Sequence, residues 1–163
     1  MYRTKKTKES SAEGAYKTAL NLLARADHTV SALRRKLHDR GFEDEHIDAA
    51  LAALSKEGLL NELRHLQNKA LYYAEVCLYG KNRIRLELMK KGFERSLLDQ
   101  RLDEVLEGID FEENCLRLAL KKRMSAPKTR QDVQKFAASL QRYGYANAAI
   151  RSAIEQLRHA ESE

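Results

Sequence analysis

Turn-forming residues are scarce in this chain, which has one proline and seven glycines among 163 residues. Sandwiches and barrels need such punctuation every few residues, so its scarcity excludes them and leaves an all-α protein. Long apolar runs are missing too. None approaches the roughly 20 residues that a helix needs to cross a bilayer. The basic opening, MYRTKKTKESSAEGAYK, has no apolar core behind it and does not read as a secretory signal. A cytoplasmic protein with no membrane partner is expected.

Cysteine is nearly absent. Cys77 and Cys115 stand in apolar helical settings, with no histidine or cysteine at metal-ligand spacing. Two reduced thiols in a reducing compartment are expected, and no metal or other cofactor. The sequence also lacks G-x-x-x-x-G-K-[ST], G-x-S-x-G and H-E-x-x-H. Glu43, Asp44, Glu45 and Asp48 cluster where a helix begins, and the helix dipole accounts for them without chemistry. The chain is therefore expected not to be an enzyme.

What it does have is charge and repetition. Charged residues make up 33%, with 30 Lys and Arg against 24 Asp and Glu, a formal net charge of +6. That excess points to a polyanionic partner: nucleic acid, a membrane surface or an acidic protein face.

The segments TVSALRRKLHDRGF, NRIRLELMKKGF and RQDVQKFAASLQRYGY end on Gly41-Phe42, Gly92-Phe93 and Gly144-Tyr145. Aligned on the glycines, five further positions stay apolar in all three copies. Upstream are Leu33, Ile84 and Phe136, then Leu37, Leu88 and Leu140. Downstream are Ile47, Leu98 and Ile150; Leu51, Leu102 and Ile154; and Leu54, Val105 and Leu157. Chance rarely keeps such a register three times, so this is a tandem repeat of about 50 residues. Steps of three and four mark one buried stripe per helix, and a left-handed glycine stops the first helix of each pair. The second helices are predicted near Asp44–Lys56, Arg95–Glu107 and Asn147–Arg158.

A further apolar segment precedes each pair: GAYKTALNLLARA, LRHLQNKALYYAEVCLYG and FEENCLRLALKKRM. The last two place Tyr72, Tyr73 and Tyr79 in the first helix of the second repeat, and Lys121-Lys122-Arg123 near a helix C-terminus. Ser10 with Glu13 reads as a capping box, Pro127 as a break in the third repeat, and Thr129 as the N-cap after it. The expected organisation is a flexible basic arm over residues 1–10 and three-helix repeats over 11–58, 59–108 and 109–163. The repeats are expected to stack or chain into one elongated molecule.

The middle helix of each repeat carries its cations off the buried stripe: Arg34 and Arg35; Arg83, Arg85, Lys90 and Lys91; Arg130, Lys135 and Arg142. With Lys121, Lys122 and Arg123 they are the candidate track for phosphates or an acidic filament surface. Leu86 and Met89 replace Arg35 and His38 on the outward face, where packing against a neighbouring repeat is expected. The tyrosines are expected to pack in the core, although an exposed one could stack on a base. The last helices, EDEHIDAALAALSKEG and ERSLLDQRLDEVLEG, are acidic, so DNA contact falls to the middle helices. A helical DNA-binding protein or transcription factor is compatible with this much.

The combination of LLARADHTVSALRRKL, RIRLELMKKG and three unequal repeats resembles the RecX regulatory proteins of bacteria, over roughly residues 16 to 158. The resemblance implies a curved, elongated molecule of three-helix repeats that binds the filament of the recombinase RecA on single-stranded DNA; a monomer is expected. It would lie in the filament groove and damp recombination, ATP hydrolysis and co-protease activity, and touch DNA directly or through RecA. The chain departs from the family's usual pattern at the start of the second repeat. Asn61-Glu62 replaces an acidic pair there, and the helix lacks a late arginine.

Overall fold

The structure is a computed structural model that describes residues 10–162. The expected N-terminal arm, apart from Ser10, lies outside the described residues. Among these, nine α-helices and one π-helical turn occur, with no strand. The helices are α1 (Ala12–Leu23), α2 (Val30–His38), α3 (Asp44–Lys56), α4 (Glu62–Leu71), α5 (Lys81–Lys91), α6 (Arg95–Val105), α7 (Phe111–Lys121), α8 (Arg130–Arg142) and α9 (Asn147–Ala160). The π-turn, Tyr72–Val76, follows α4. The last helix of each triplet starts at the predicted residue. None of these helices is long and apolar enough to cross a membrane.

The chain forms two compact units. One runs up to Leu66 and takes in Lys91–Glu94; the other comprises Gln67–Lys90 and the chain from Arg95 onward. In the first, α1 packs on α2 and α3, around Leu33, Leu37, Ile47 and Leu54. In the second, α7 and α8 pack on α9, around Cys115, Leu118, Phe136, Leu140 and Ile154. Each buried Leu, Ile or Phe contributes about 1.5–3 kcal/mol relative to exposure. The repeat register therefore concentrates the cohesive energy on one stripe per helix.

All the aligned apolar positions are buried except Val105. Helix α6 ends at that residue, and Leu106, 3% exposed, takes the inward place. Cys115 is completely buried, and desolvation pushes its thiol up to about 12. It is thus a core atom rather than a nucleophile.

Each glycine adopts the left-handed conformation that ends its helix, with φ of 86° at Gly41, 98° at Gly92 and 90° at Gly144. The next residue then folds inward, leaving Phe42, Phe93 and Tyr145 no more than 5% exposed. The glycine turns do something else that was not apparent from the register: two of them receive the start of a preceding middle helix. Within the first unit, the Thr29 hydroxyl donates to the Lys91 carbonyl (3.3 Å) and Ser31 Oγ to the Gly92 carbonyl (2.7 Å). Within the second, Gly80 N–H donates to the Tyr143 carbonyl (2.7 Å) and Asn82 N–H to that of Gly144 (3.2 Å). In both cases the orphan carbonyls at a helix end are satisfied by the opening of another helix. Among the described residues, helix α8 meets no such turn. It begins one turn earlier relative to its glycine and closes its own end with a capping box, Thr129 with Asp132.

Three expectations need correction. The N-cap of α1 is Ser11, whose Oγ accepts from Gly14 N–H (3.0 Å), and not Ser10. Glu13 is drawn to Lys17 (2.5 Å) instead of closing a capping box. Ser10 Oγ accepts from Glu43 N–H (2.9 Å), so it serves the start of α3. Tyr79 is not in the first helix of its repeat, because α4 gives way to the π-turn and Leu78 (φ 53°) reverses the chain before Tyr79. Leu86 and Met89, expected to be covered by a neighbouring repeat, are 54% and 40% exposed.

Glu62 also has a local task. Its Oε1 accepts from Val30 N–H (3.0 Å), which caps α2 from a distance. Burial raises its pKa above the ordinary carboxylate range; the Val30 N–H opposes this, and the Glu94 charge adds to it. A carboxyl raised in the fold stabilises the fold fully only below its ordinary value of about 4.3, and that stability fades as pH rises through the folded value. Glu62→Gln keeps an oxygen for Val30 without the charge. It is expected to raise the unfolding midpoint near neutral pH, by less than about 1 kcal/mol for a half-exposed group. The gain should vanish by about pH 4, as urea titrations at the two pH values would show.

Candidate functional site

The middle helices do present cations, but the carboxylates of the following helices claim some of them. Arg34 on α2 pairs with Asp48 on α3, and Arg85 on α5 pairs with Asp99 on α6. The two pairs are the same pair in the repeat: each arginine lies seven residues before its glycine and each aspartate seven after. The third repeat has Ala137 and Arg151 at those positions and lacks the pair. Lys81 on α5 likewise reaches Asp103 on α6 (2.6 Å). Much of the acidity in the last helices is thus spent on the adjacent middle helix. That signal was available in the sequence as a matched Arg and Asp around two of the three glycines.

Glu87 holds two more of the candidates. Its Oε1 lies 2.8 Å from Arg83 Nε, a contact of charge rather than of hydrogen-bond geometry, and 3.1 Å from Lys90 Nζ. The bond from Lys90 keeps this carboxyl below the usual range, partly offset by burial. Glu87 is therefore ionised at neutral pH, and the Arg83 Nη groups remain available for another acceptor.

The remaining candidates are more open. Among the described residues, no carboxylate lies within 4 Å of Arg35, Lys91, Lys121, Lys122, Arg123, Arg130, Lys135 or Arg142. All eight are exposed. Lys121 ends α7 and Lys122 caps it, where the helix dipole favours a cation. Arg123 is left-handed (φ 53°) and takes the place a glycine usually fills after a helix. Arg130 opens α8, the end of a helix where a cation is least favoured. Lys135 borders an open depression of about 420 Å³ with Met124, Pro127 and Phe136.

The structure brings three candidates together in the second unit. Arg83, at the start of α5, and Arg142, at the end of α8, line a depression of about 260 Å³ with Tyr79 and Tyr143. Lys122 Nζ lies 4.8 Å over the Tyr143 ring and 3.4 Å from its hydroxyl. Tyr72, Tyr73 and Tyr79 were expected in the core; Tyr73 is there, but Tyr79 is only half-buried and Tyr72 is exposed, while Tyr143, for which nothing was expected, is half-buried too. No group of acidic, histidine and cysteine residues suited to a metal ion occurs among the described residues.

Comparison with known proteins adds a family. A family model for the first three-helix domain of RecX matches residues 15–54. The regulatory protein RecX of Pseudomonas entomophila is 40% identical over 75% of this chain and 79% of its own length. That of Pseudomonas savastanoi pv. phaseolicola is 45% identical over 63% of this chain. That alignment spans 64% of the relative's length, a little under two thirds. Among solved structures, the crystal structure of RecX from Lactobacillus salivarius superposes with a TM-score of 0.77 at 23% identity. It covers 90% of this chain and 96% of its own.

Proposed function

The chain belongs to the RecX family of regulatory proteins, and on that premise we propose that it binds the filament formed by the recombinase RecA on single-stranded DNA. There it lowers the filament's recombinase, ATPase and co-protease activity, with no catalysis of its own. The observation that carries this reading is the set of eight candidate cations with no carboxylate partner among the described residues, while Arg34 and Arg85 are neutralised within their own repeats. A chain whose charge served only folding would be expected to pair more of it. Unpaired lysines and arginines spread over helix surfaces suit a polyanion much longer than a single small ligand.

The test is the single-strand-dependent ATPase of the cognate RecA. Adding this protein below equimolar amounts is expected to slow hydrolysis; an unchanged rate at equimolar protein and low salt would overturn the proposal. The alternative is a helical DNA-binding protein that works without RecA. Binding to bare single strand, duplex and assembled filament separates the two readings, since only the first requires a preference for the filament.

A further inference from the structure

The depression lined by Tyr79, Arg83, Arg142 and Tyr143 has a composition that the rest of the cation track lacks. Its two rings are 6.1 Å apart and inclined at 57°. Tyr79 is backed by Tyr73, stacked at 5.8 Å, and the Arg83 guanidinium lies 5.4 Å over its ring. Lys122 Nζ lies 4.8 Å over the Tyr143 ring, which is half-buried and borders the depression. The carboxylate at hand is Glu87, against three cations: Arg83, Arg142 and Lys122.

These groups are in place before any ligand arrives. The bond from Gly80 N–H to the Tyr143 carbonyl ties one tyrosine directly to the neighbour of the other. Gly80 makes this approach possible, since a Cβ there would lie 2.3 Å from the Gly144 carbonyl carbon. A rigid frame of this kind lowers the ordering cost of binding.

We infer that this cleft grips one nucleotide of a single-stranded nucleic acid. The base stacks against the Tyr143 ring where it lines the depression, beside the Arg83 guanidinium, and Arg142 and Lys122 hold the adjoining phosphate. Aromatic rings interleaved with cations are what an unpaired base and its backbone require. A duplex offers no free base face. The volume, about 260 Å³, falls below the roughly 300–1,000 Å³ of pockets that enclose a whole small molecule, which favours part of a longer strand over a free nucleotide. The grip occurs once per chain, because His28 and Lys91 stand in the repeat positions of Tyr79 and Tyr143. The inference rests on the reading of the chain as a regulator of a single-strand filament, and it adds that the second unit touches the strand itself.

The experiment measures anisotropy of a labelled thymidine oligonucleotide of about fifteen residues, with no recombinase present. Its arms are the same strand made abasic, the duplex, and free thymidine monophosphate as competitor. The wild-type protein is expected to bind the thymidine strand about tenfold more tightly than the abasic one. Tyr143→Leu should erase that difference, Tyr143→Phe should keep it, and Arg142→Gln should weaken both strands alike. Equal binding of thymidine and abasic strands by the wild type would overturn the inference. So would a tenfold loss in Tyr143→Phe, duplex binding as tight as single-strand binding, or competition by the monophosphate at concentrations similar to the strand. Thermal unfolding of each variant shows whether weaker binding reflects a folding defect. Because no recombinase is present, failure here leaves the ATPase test intact, and failure of that test leaves this one intact.

Discussion

Gly144→Ala is expected to destabilise the protein by about 3–5 kcal/mol, whereas Gly41→Ala should cost only about 1–2 kcal/mol. Both glycines end a middle helix at nearly the same left-handed angle, so the backbone strain of adding a Cβ is the same. The difference is what the Cβ meets. At Gly41 nothing among the described residues lies within 4 Å. At Gly144 it would sit 2.2 Å from Arg83 N and 2.5 Å from Arg83 Cβ, atoms of the first turn of α5 that cannot swing aside. Relief requires the start of α5 to retreat, which strains the bonds from Gly80 and Asn82, each worth about 0.5–1.5 kcal/mol. Urea unfolding of the two variants measures the contrast directly. Equal losses would mean that the Gly144 turn is only a helix stop and not a seat for the neighbouring helix. Gly92→Ala should fall between the two, because its Cβ would meet the Ser31 and Thr29 hydroxyls, side-chain atoms that can rotate.

That contrast also marks where sequence reasoning ran out. The helix triplets, their ends and nearly every core residue were legible, because burial of one stripe imposes a local period that survives in one dimension. Glycine as a stop was legible for the same reason: the left-handed angle is a demand of its own position. Glycine as a seat was not, since Gly80 and Gly144 are 64 residues apart and neither carries a side chain to show in a pattern. The π-turn was equally hidden. ALYYAEV has ordinary helical residues, and nothing local marks the extra residue of the turn in which Tyr73 and Ala74 are buried. At the candidate site, the cations were visible but their partners were not. Wheel geometry places Arg34 and Arg85 off the core stripe, and only the packing of α2 on α3 and of α5 beside α6 brings Asp48 and Asp99 to them. Tyr143 was passed over because it precedes a glycine, in a position where the other repeats have Arg40 and Lys91.

The division between paired and unpaired cations leads to the second large effect. Changing Arg35, Lys91, Lys135 and Arg142 together to glutamine is expected to weaken binding to the single-strand filament on the order of a hundredfold near physiological salt. Every phosphate that goes unneutralised should also lower the slope of log affinity against log salt by about 0.7, or by roughly 3 for all four cations. These side chains are exposed, have no carboxylate within 4 Å among the described residues, and stabilise little in the fold, so the unfolding midpoint should hardly move. Changing Arg34 and Arg85 to glutamine should do the reverse. It would strip Asp48 and Asp99 of their partners at a cost of up to about 1 kcal/mol each, while the salt slope stays near that of the wild type. Glutamine is the better probe than glutamate, because a reversed charge at Arg85 would repel Asp99 and mix a folding defect into the binding measurement. The decisive readout is the slope rather than the affinity alone. A fall in affinity at constant slope would mean that the four residues touch protein and not phosphate, and would move the nucleic-acid interface away from this track altogether.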